Sequence, residues 1–319
     1  MTFHEVAEEY IAYKQSLGMT YGVQARNLRI FARACAGRDI SDVTPKLIRE
    51  FLSRQTPFMR TRHYQNLRPF YRFAVTREYV TQSPLPDESP KMPPHAKPYI
   101  YPRDELKRLF AEALNFRTID GDPLFGITFR TLLILLYGAA LRRNEALLLK
   151  GADVDLAENV LTIRNSKFGK TRLVPIGSQL SEVLSTYVAE RLRLHRPVTP
   201  DAHFFATIKY PFLKERYVND AFRRLCARLG IHREDSGRFQ PRLHDLRHTF
   251  VAHRIEAEYE SQQDLQRLLE ELPTYLGHLG LVCSQQYMTL TPTILAAANQ
   301  RFSQFALTEV AHVANEPGQ

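Results

Sequence analysis

A chain of 319 residues, 44% of them hydrophobic, can bury one large core or two of ordinary domain size, and it reads as globular. Forty-three lysines and arginines against thirty-four acids leave a formal charge of +9 and a pI near 9.5, which favours a polyanionic partner, nucleic acid first. Cys35, Cys226 and Cys283 are too scattered for a zinc knuckle or a CxxC pair and too few for a disulfide framework, so a reducing cytosol is expected.

The opening residues, MTFHEVAEEYIAYKQ, lack the basic region and apolar run of a signal peptide. The apolar spacing of FHEVAEEYIAYKQSL predicts a helix, as does TPKLIREFLSR, where Thr44 and Pro45 suit the N-cap and first turn. Residues 53–77, SRQTPFMRTRHYQNLRPFYRFAVTR, carry Arg54, Arg60, Arg62, Arg68, Arg72 and Arg77 with no acid, interleaved with Phe58, Tyr64, Phe70, Tyr71 and Phe73. One reading is an amphipathic helix with aromatics inward and arginines solvated; another is a phosphate-binding face, and the two are compatible. Residues 1–98 hold fifteen Lys plus Arg against nine acids, so most of the excess positive charge lies there.

The stretch 84–102, PLPDESPKMPPHAKPYIYP, contains seven of the nineteen prolines and reads as a linker. Four parts are therefore expected: a helical domain over 1–83, the linker over 84–102, a second domain over 103–305 and a tail over 306–319. In the second domain, PRDELKRLFAEAL predicts a helix, and residues 126–149 a very apolar helix running into a charged segment. The apolar run TLLILLYGAAL, 131–141, is too short to cross a bilayer and ends in Arg142 and Arg143, so a core helix is expected and no membrane partner. Two strands follow, 159–164 and 172–176, with a turn around Phe168 and Gly169. Helical patterns resume in SQLSEVLSTYVAERLRLH, NDAFRRLCARLG, HTFVAHRIEAE and TPTILAAANQRFSQFAL, making this domain mainly α with a small antiparallel sheet.

Four pieces of the second domain carry groups suited to phosphate chemistry. They are ALRRNE, with Arg142 and Glu145 three apart; SKFGK, with Lys167 and Lys170 at a hairpin tip; HDLRHTF, with His244 and Arg247 at i and i+3; and LGHLGLVCSQQYMTL, with His278 nine before Tyr287. Each alone has an ordinary structural explanation, and the HD of the third could suggest a metal phosphohydrolase, although no further ligand set accompanies it. In this order the pieces resemble the tyrosine recombinases, or phage-type integrases, over roughly residues 100–305.

The resemblance implies a helical, SAM-like core-binding domain in front of a mixed α/β catalytic domain of the DNA breaking-rejoining type. It implies that Tyr287 is the nucleophile, that Arg142, Arg247 and His278 surround the scissile phosphate, that Lys167 protonates the leaving 5′ oxygen, and that His244 assists proton transfer. Glu145 would hold the arginine segment, while Arg60, Arg62, Arg68, Arg72 and Lys170 would contact DNA. Ala140 stands where such enzymes usually have glycine; alanine suits a helix better, so a packing change without lost activity is expected.

No metal, ATP or other cofactor is expected, because arginines supply the positive charge and a 3′-phosphotyrosine keeps the bond energy for rejoining. The implied partners are double-stranded recombination sites clamped by the two domains, a monomer or dimer on single sites, a tetrameric synapse, and accessory proteins or helper recombinases. The implied location is the bacterial cytoplasm at the nucleoid. Residues 293–307 could dock on a neighbouring protomer or pack on their own domain. Two alternatives are a type IB topoisomerase-like nicking-closing enzyme and a noncatalytic DNA-binding protein retaining the fold.

Overall fold

The computed structural model describes residues 1–93, 97–117, 121–164, 171–234, 240–261 and 265–277. It forms two compact units, Met1–His95 and Ala96–Gln319. The hairpin tip, Cys283, the segment 293–307 and the tail 306–319 lie outside the described residues.

The first unit is helical: α1 (Phe3–Ser16), α2 (Gly22–Ala34), a 3-10 turn (Ile40–Asp42), α3 (Pro45–Ser53) and α4 (Pro57–Thr76). Caps set the helix starts. The Glu5 N–H donates to Thr2 Oγ1 at 3.3 Å while the Thr2 N–H donates to Glu5 at 2.8 Å; Thr44 and Thr56 accept from Leu47 and Met59, each followed by proline at the first helical position. Phe3, Phe31, Phe70 and Tyr71 are fully buried, with Phe3 edge-on to Phe31 at 5.0 Å.

On α4, Tyr64, Phe70 and Tyr71 turn inward, whereas Arg62, Arg68 and Arg72 are exposed. Phe58 is exposed as well, beneath the Arg62 guanidinium at 5.2 Å. Arg60 differs from its neighbours: its guanidinium donates to the carbonyls of Leu52 at 3.0 Å, Ser53 at 3.4 Å and Gln55 at 3.5 Å. It therefore closes the C-terminal end of α3, where orphan carbonyls attract a cation.

The proline-rich stretch is anchored at both ends. Tyr64 donates to the Pro86 carbonyl at 2.8 Å, and the Thr61 hydroxyl lies within hydrogen-bond distance of the Pro90 and Lys91 carbonyls, so this part lies along α4. Tyr101 is fully buried in the second unit, its N–H donating to Thr249 and its hydroxyl to the Arg242 carbonyl.

The second unit contains α5 (Arg103–Leu114), α6 (Phe125–Gly138), α7 (Arg143–Leu147), a 3-10 turn (Gly151–Asp153), β1 (Val154–Asp155), β2 (Val160–Ile163), β3 (Arg172–Pro175), α8 (Ser178–Arg193), α9 (Glu215–Arg228), α10 (Leu243–Glu260) and α11 (Leu265–Leu276). The antiparallel sheet has the order β1-β2-β3, with Leu161 opposite Val174 and Ile163 opposite Arg172. β1 is too short to show an alternating pattern in the sequence. The apolar α6 packs against α5, α8 and α10, burying Phe125, Phe129, Leu132 and Leu136.

Ala140 is not helical. α6 stops at Gly138, and Ala140 has φ +49, a left-handed conformation that glycine accepts more readily. The expected advantage of alanine in a helix therefore does not apply. Its methyl group is buried among Val251, Ile255, Leu272 and Leu276. Burial of one methyl, about 0.8 kcal/mol, and the smaller unfolded-state entropy of alanine, about 0.4–1 kcal/mol, offset a left-handed cost of about 1–2 kcal/mol.

The two kinds of arginine on α4 should separate in stability measurements. Arg60→Ala is expected to lower the unfolding free energy by about 1–2 kcal/mol, whereas Arg68→Ala should change it by less than about 0.5 kcal/mol. Urea unfolding followed by circular dichroism distinguishes these outcomes.

Candidate active site

Ala140 is left-handed, and two residues on Arg142 is the N-cap of α7 with extended φ −66 and ψ 142. Glu145 at the third helical position accepts the Arg142 backbone N–H at 2.9 Å and its Nη1 at 2.8 Å. The same carboxylate receives both ends of the Arg172 guanidinium, at 3.0 and 2.9 Å, from β3. The spacing three apart in ALRRNE thus serves a buried carboxylate shared by two arginines. Burial alone would raise Glu145; hydrogen bonds from Arg172 and from the Arg142 backbone and side chain overcome it and hold the carboxyl at about 2.

Both predicted phosphate-binding arginines reach the end of α11. Arg142 Nη2 donates to the Gly277 carbonyl at 2.9 Å, and Arg247 Nη2 to the neighbouring Leu276 carbonyl at 2.7 Å. Arg247 Nη1 also donates to the Ala140 carbonyl at 2.6 Å, so the left-handed turn holds this arginine. Arg247 is 1% exposed, while 27% of the Arg142 side chain remains open. Gly277 ends α11 with φ +64, and an added Cβ would lie 3.1 Å from Arg172 Nη1. Glycine in LGH therefore meets both a backbone and a packing demand.

His244 lies in the first turn of α10, its ring 4.8 Å from His248 in an edge-on arrangement. Desolvation, followed by the charges of His248 and Arg247, pushes its pKa down to about 4, with Asp245 opposing. The residue is exposed, so water moderates the desolvation, and repulsion by the adjacent cations at the positive end of a helix is the firmer cause. His244 is therefore neutral at pH 7 and able to accept a proton. Asp245 is buried and accepts from the Arg242 N–H at 2.9 Å and from its guanidinium at 2.8 Å. It caps α10, and among the described residues no His, Cys, Asp and Glu cluster could hold a metal.

Lys167, Lys170, His278 and Tyr287 lie outside the described residues. Arg142, Glu145 and Arg247 are brought together; Arg172 joins them and was not singled out from the sequence. The alternation of β3 contains the signal, since Arg172 shares the inward face with buried Val174. No helix among the described residues is long and apolar enough to cross a membrane.

Because the folded-state pKa of Glu145 is depressed, its contribution is complete above the ordinary value of 4.5 and disappears as pH falls towards about 2. The shift corresponds to roughly 3 kcal/mol. Denaturant unfolding between pH 7 and pH 2 should show this loss, and Glu145→Gln should be destabilised at pH 7 with a flatter profile over the acidic window.

Residues 102–288 match the model of the phage integrase family. Similar proteins include the integrase/recombinase y4rB of Sinorhizobium fredii, 32% identical over 95% of this chain and 98% of the relative. Tyrosine recombinase XerC of Oceanobacillus iheyensis is 31% identical over 85% of this chain and 86% of its own. Among solved structures, the fold is similar to that of the Tn1549 transposon integrase in complex with transposon right end DNA, with TM-score 0.67, 14% identity and 95% and 100% coverage. It is also similar to a lambda integrase dimer bound to a COC′ core site, with TM-score 0.66, 17% identity and 90% and 77% coverage. The family match over residues 102–288 and the recombinase relatives above 30% identity make this chain a member of the phage integrase family, a tyrosine-type site-specific recombinase.

Proposed function

We propose that this recombinase cleaves duplex DNA with Tyr287 as the nucleophile and rejoins it to another 5′ end. The carrying observation is that Arg142 and Arg247, from separate helices, hydrogen-bond the successive carbonyls of Gly277 and Leu276. His278 follows Gly277 directly in the sequence, and in this reading it supplies the third phosphate ligand.

A phosphodiester under attack gains negative charge on its nonbridging oxygens, and guanidiniums positioned beforehand lower that barrier without reorganising. Arg142 uses two of its five side-chain N–H donors on Glu145 and Gly277, leaving donors on a partly open side chain for phosphate. Tyr287 loses its proton to a base, for which neutral His244 is suited, and its oxygen bonds to phosphorus. The P–O5′ bond breaks, and Lys167 gives the departing oxygen a proton. Attack by a second 5′ hydroxyl reverses these steps and releases the tyrosine.

The first unit would act as the core-binding domain, with Arg62, Arg68 and Arg72 on phosphates. Lys170 would add a contact from the hairpin tip. We take the working form to be an assembly on double-stranded sites, completed as a tetramer for strand exchange and open to accessory recombinases. It would act at the cytoplasmic nucleoid. The recombinases among its relatives favour this reading over topoisomerase-like relaxation.

A nicked suicide duplex built from the ends of the encoding element tests the nucleophile. The natural chain should form a covalent 3′ adduct and Tyr287→Phe none; an adduct with Tyr287→Phe would show that another residue attacks. Separately, Arg62→Ala with Arg68→Ala should weaken binding to all duplexes and reduce the log–log salt slope by roughly 2. An unchanged slope would place those side chains outside the DNA contact.

A further inference from the structure

A group that takes a proton during attack must point its free nitrogen at the donor, and a ring that turns freely presents that nitrogen only part of the time. His244 has little to stop it turning. It is exposed on the first turn of α10 and borders a cleft of about 440 Å³ whose walls carry Arg143, Asn219, Phe222 and Arg223. Among the described residues no hydrogen bond holds its ring, and its one ring contact is with His248, edge-on at 4.8 Å.

His248 is a firm support. It lies four residues further along α10, so the two side chains share one face of the helix, about one turn apart. The residues on either side of it are locked: Arg247 donates to the Ala140 and Leu276 carbonyls, while Thr249, 0% exposed, donates to the Asp245 carbonyl and accepts the Tyr101 N–H. The backbone beneath His248 is therefore pinned to the turn after α6, to the end of α11 and to the chain entering α5. His248 itself is half-buried. Edge-on aromatic rings favour one mutual orientation, because the positive edge of one meets the negative face of the other. Through this contact the rigidity of α10 reaches an imidazole that is otherwise unheld.

We propose that His248 is a positioning residue: its ring fixes the His244 ring in the orientation that accepts the phenolic proton of Tyr287, and it acts by contact, without exchanging a proton itself. The inference rests on the reading in which Tyr287 attacks and His244 is the base. Misplacing a reacting group by about 1 Å can slow a reaction roughly a hundredfold; a ring that still samples the right orientation loses less, so a loss of roughly tenfold is expected without the support.

The measurement is the single-turnover rate of adduct formation by the full chain on the nicked suicide duplex at saturating DNA, together with the duplex Kd and the thermal midpoint. His248→Ala should be roughly tenfold slower, at an unchanged Kd and thermal midpoint. His248→Gln, of similar reach but without a ring, should be equally slow, and it stands in where alanine impairs folding. His248→Phe, which keeps a ring to meet His244, should recover most of the rate. In a His244→Ala background, itself slower than the natural chain, His248→Ala should cost nothing further.

A natural rate for His248→Gln would overturn the proposal. So would an undiminished loss in the His244→Ala background, which would show that His248 serves the fold or Arg247 independently of His244. A rate for His248→Phe as low as that for His248→Gln would overturn it too, since an imidazole nitrogen and not the ring contact would then be required. If His244→Ala reacts as fast as the natural chain, the proton role of His244 fails and the proposal with it. No adduct from the natural chain on any duplex refutes the strand-transfer reading beneath both.

Discussion

One buried carboxylate holds the candidate active site together. Glu145 carries a single negative charge between Arg142, the N-cap of α7, and Arg172 on β3, and it accepts the N-cap backbone N–H of its own helix. A carboxylate this deeply buried is strongly destabilising without partners, so the fold can keep it only while both guanidiniums stay in place. The same pairing links three segments distant in the chain. Arg142 reaches the end of α11 through the Gly277 carbonyl, and Arg172 packs on Gly277, where a side chain would crowd it.

The charged groups of the second unit are differentiated by what surrounds them. Arg247 is buried and donates to two carbonyls, which orient it, whereas Arg142 is partly open and partly paired. His244 stands at the start of α10, where desolvation, together with repulsion from His248 and Arg247, keeps it neutral. Two fixed cations beside a neutral base suit attack by a phenol on a phosphodiester, where charge must be stabilised and a proton removed at once. In the first unit, Arg60 completes the end of α3 while Arg62, Arg68 and Arg72 face water.

Much of this was legible in the sequence because it depends on order and local chemistry. The motif order identified the family, Thr44 with Pro45 marked a helix start, and the apolar run of α6 announced the core. What escaped depends on tertiary neighbours. Arg172 resembles any strand arginine until Glu145 appears opposite it, and Arg60 resembles the other arginines of α4 until the end of α3 meets it. Arg191, inside the basic run ERLRLHR, is buried and donates to the carbonyls of Arg196, Pro197, His203 and Phe204, an environment that no local pattern encodes. Ala140 was misread because helix propensity was applied to a residue just beyond a helix end, where the sign of φ decides.

The claim that Glu145 and Arg172 act as one unit in positioning Arg142 is tested most directly by a double-mutant cycle on the single-turnover rate of covalent adduct formation. Glu145→Gln, Arg172→Gln and the double variant are compared with the natural chain at saturating DNA. The account predicts that the double variant is little slower than the worse single one, a coupling of about 1–3 kcal/mol. Losses that simply add would contradict it, showing that the two side chains influence the reaction independently.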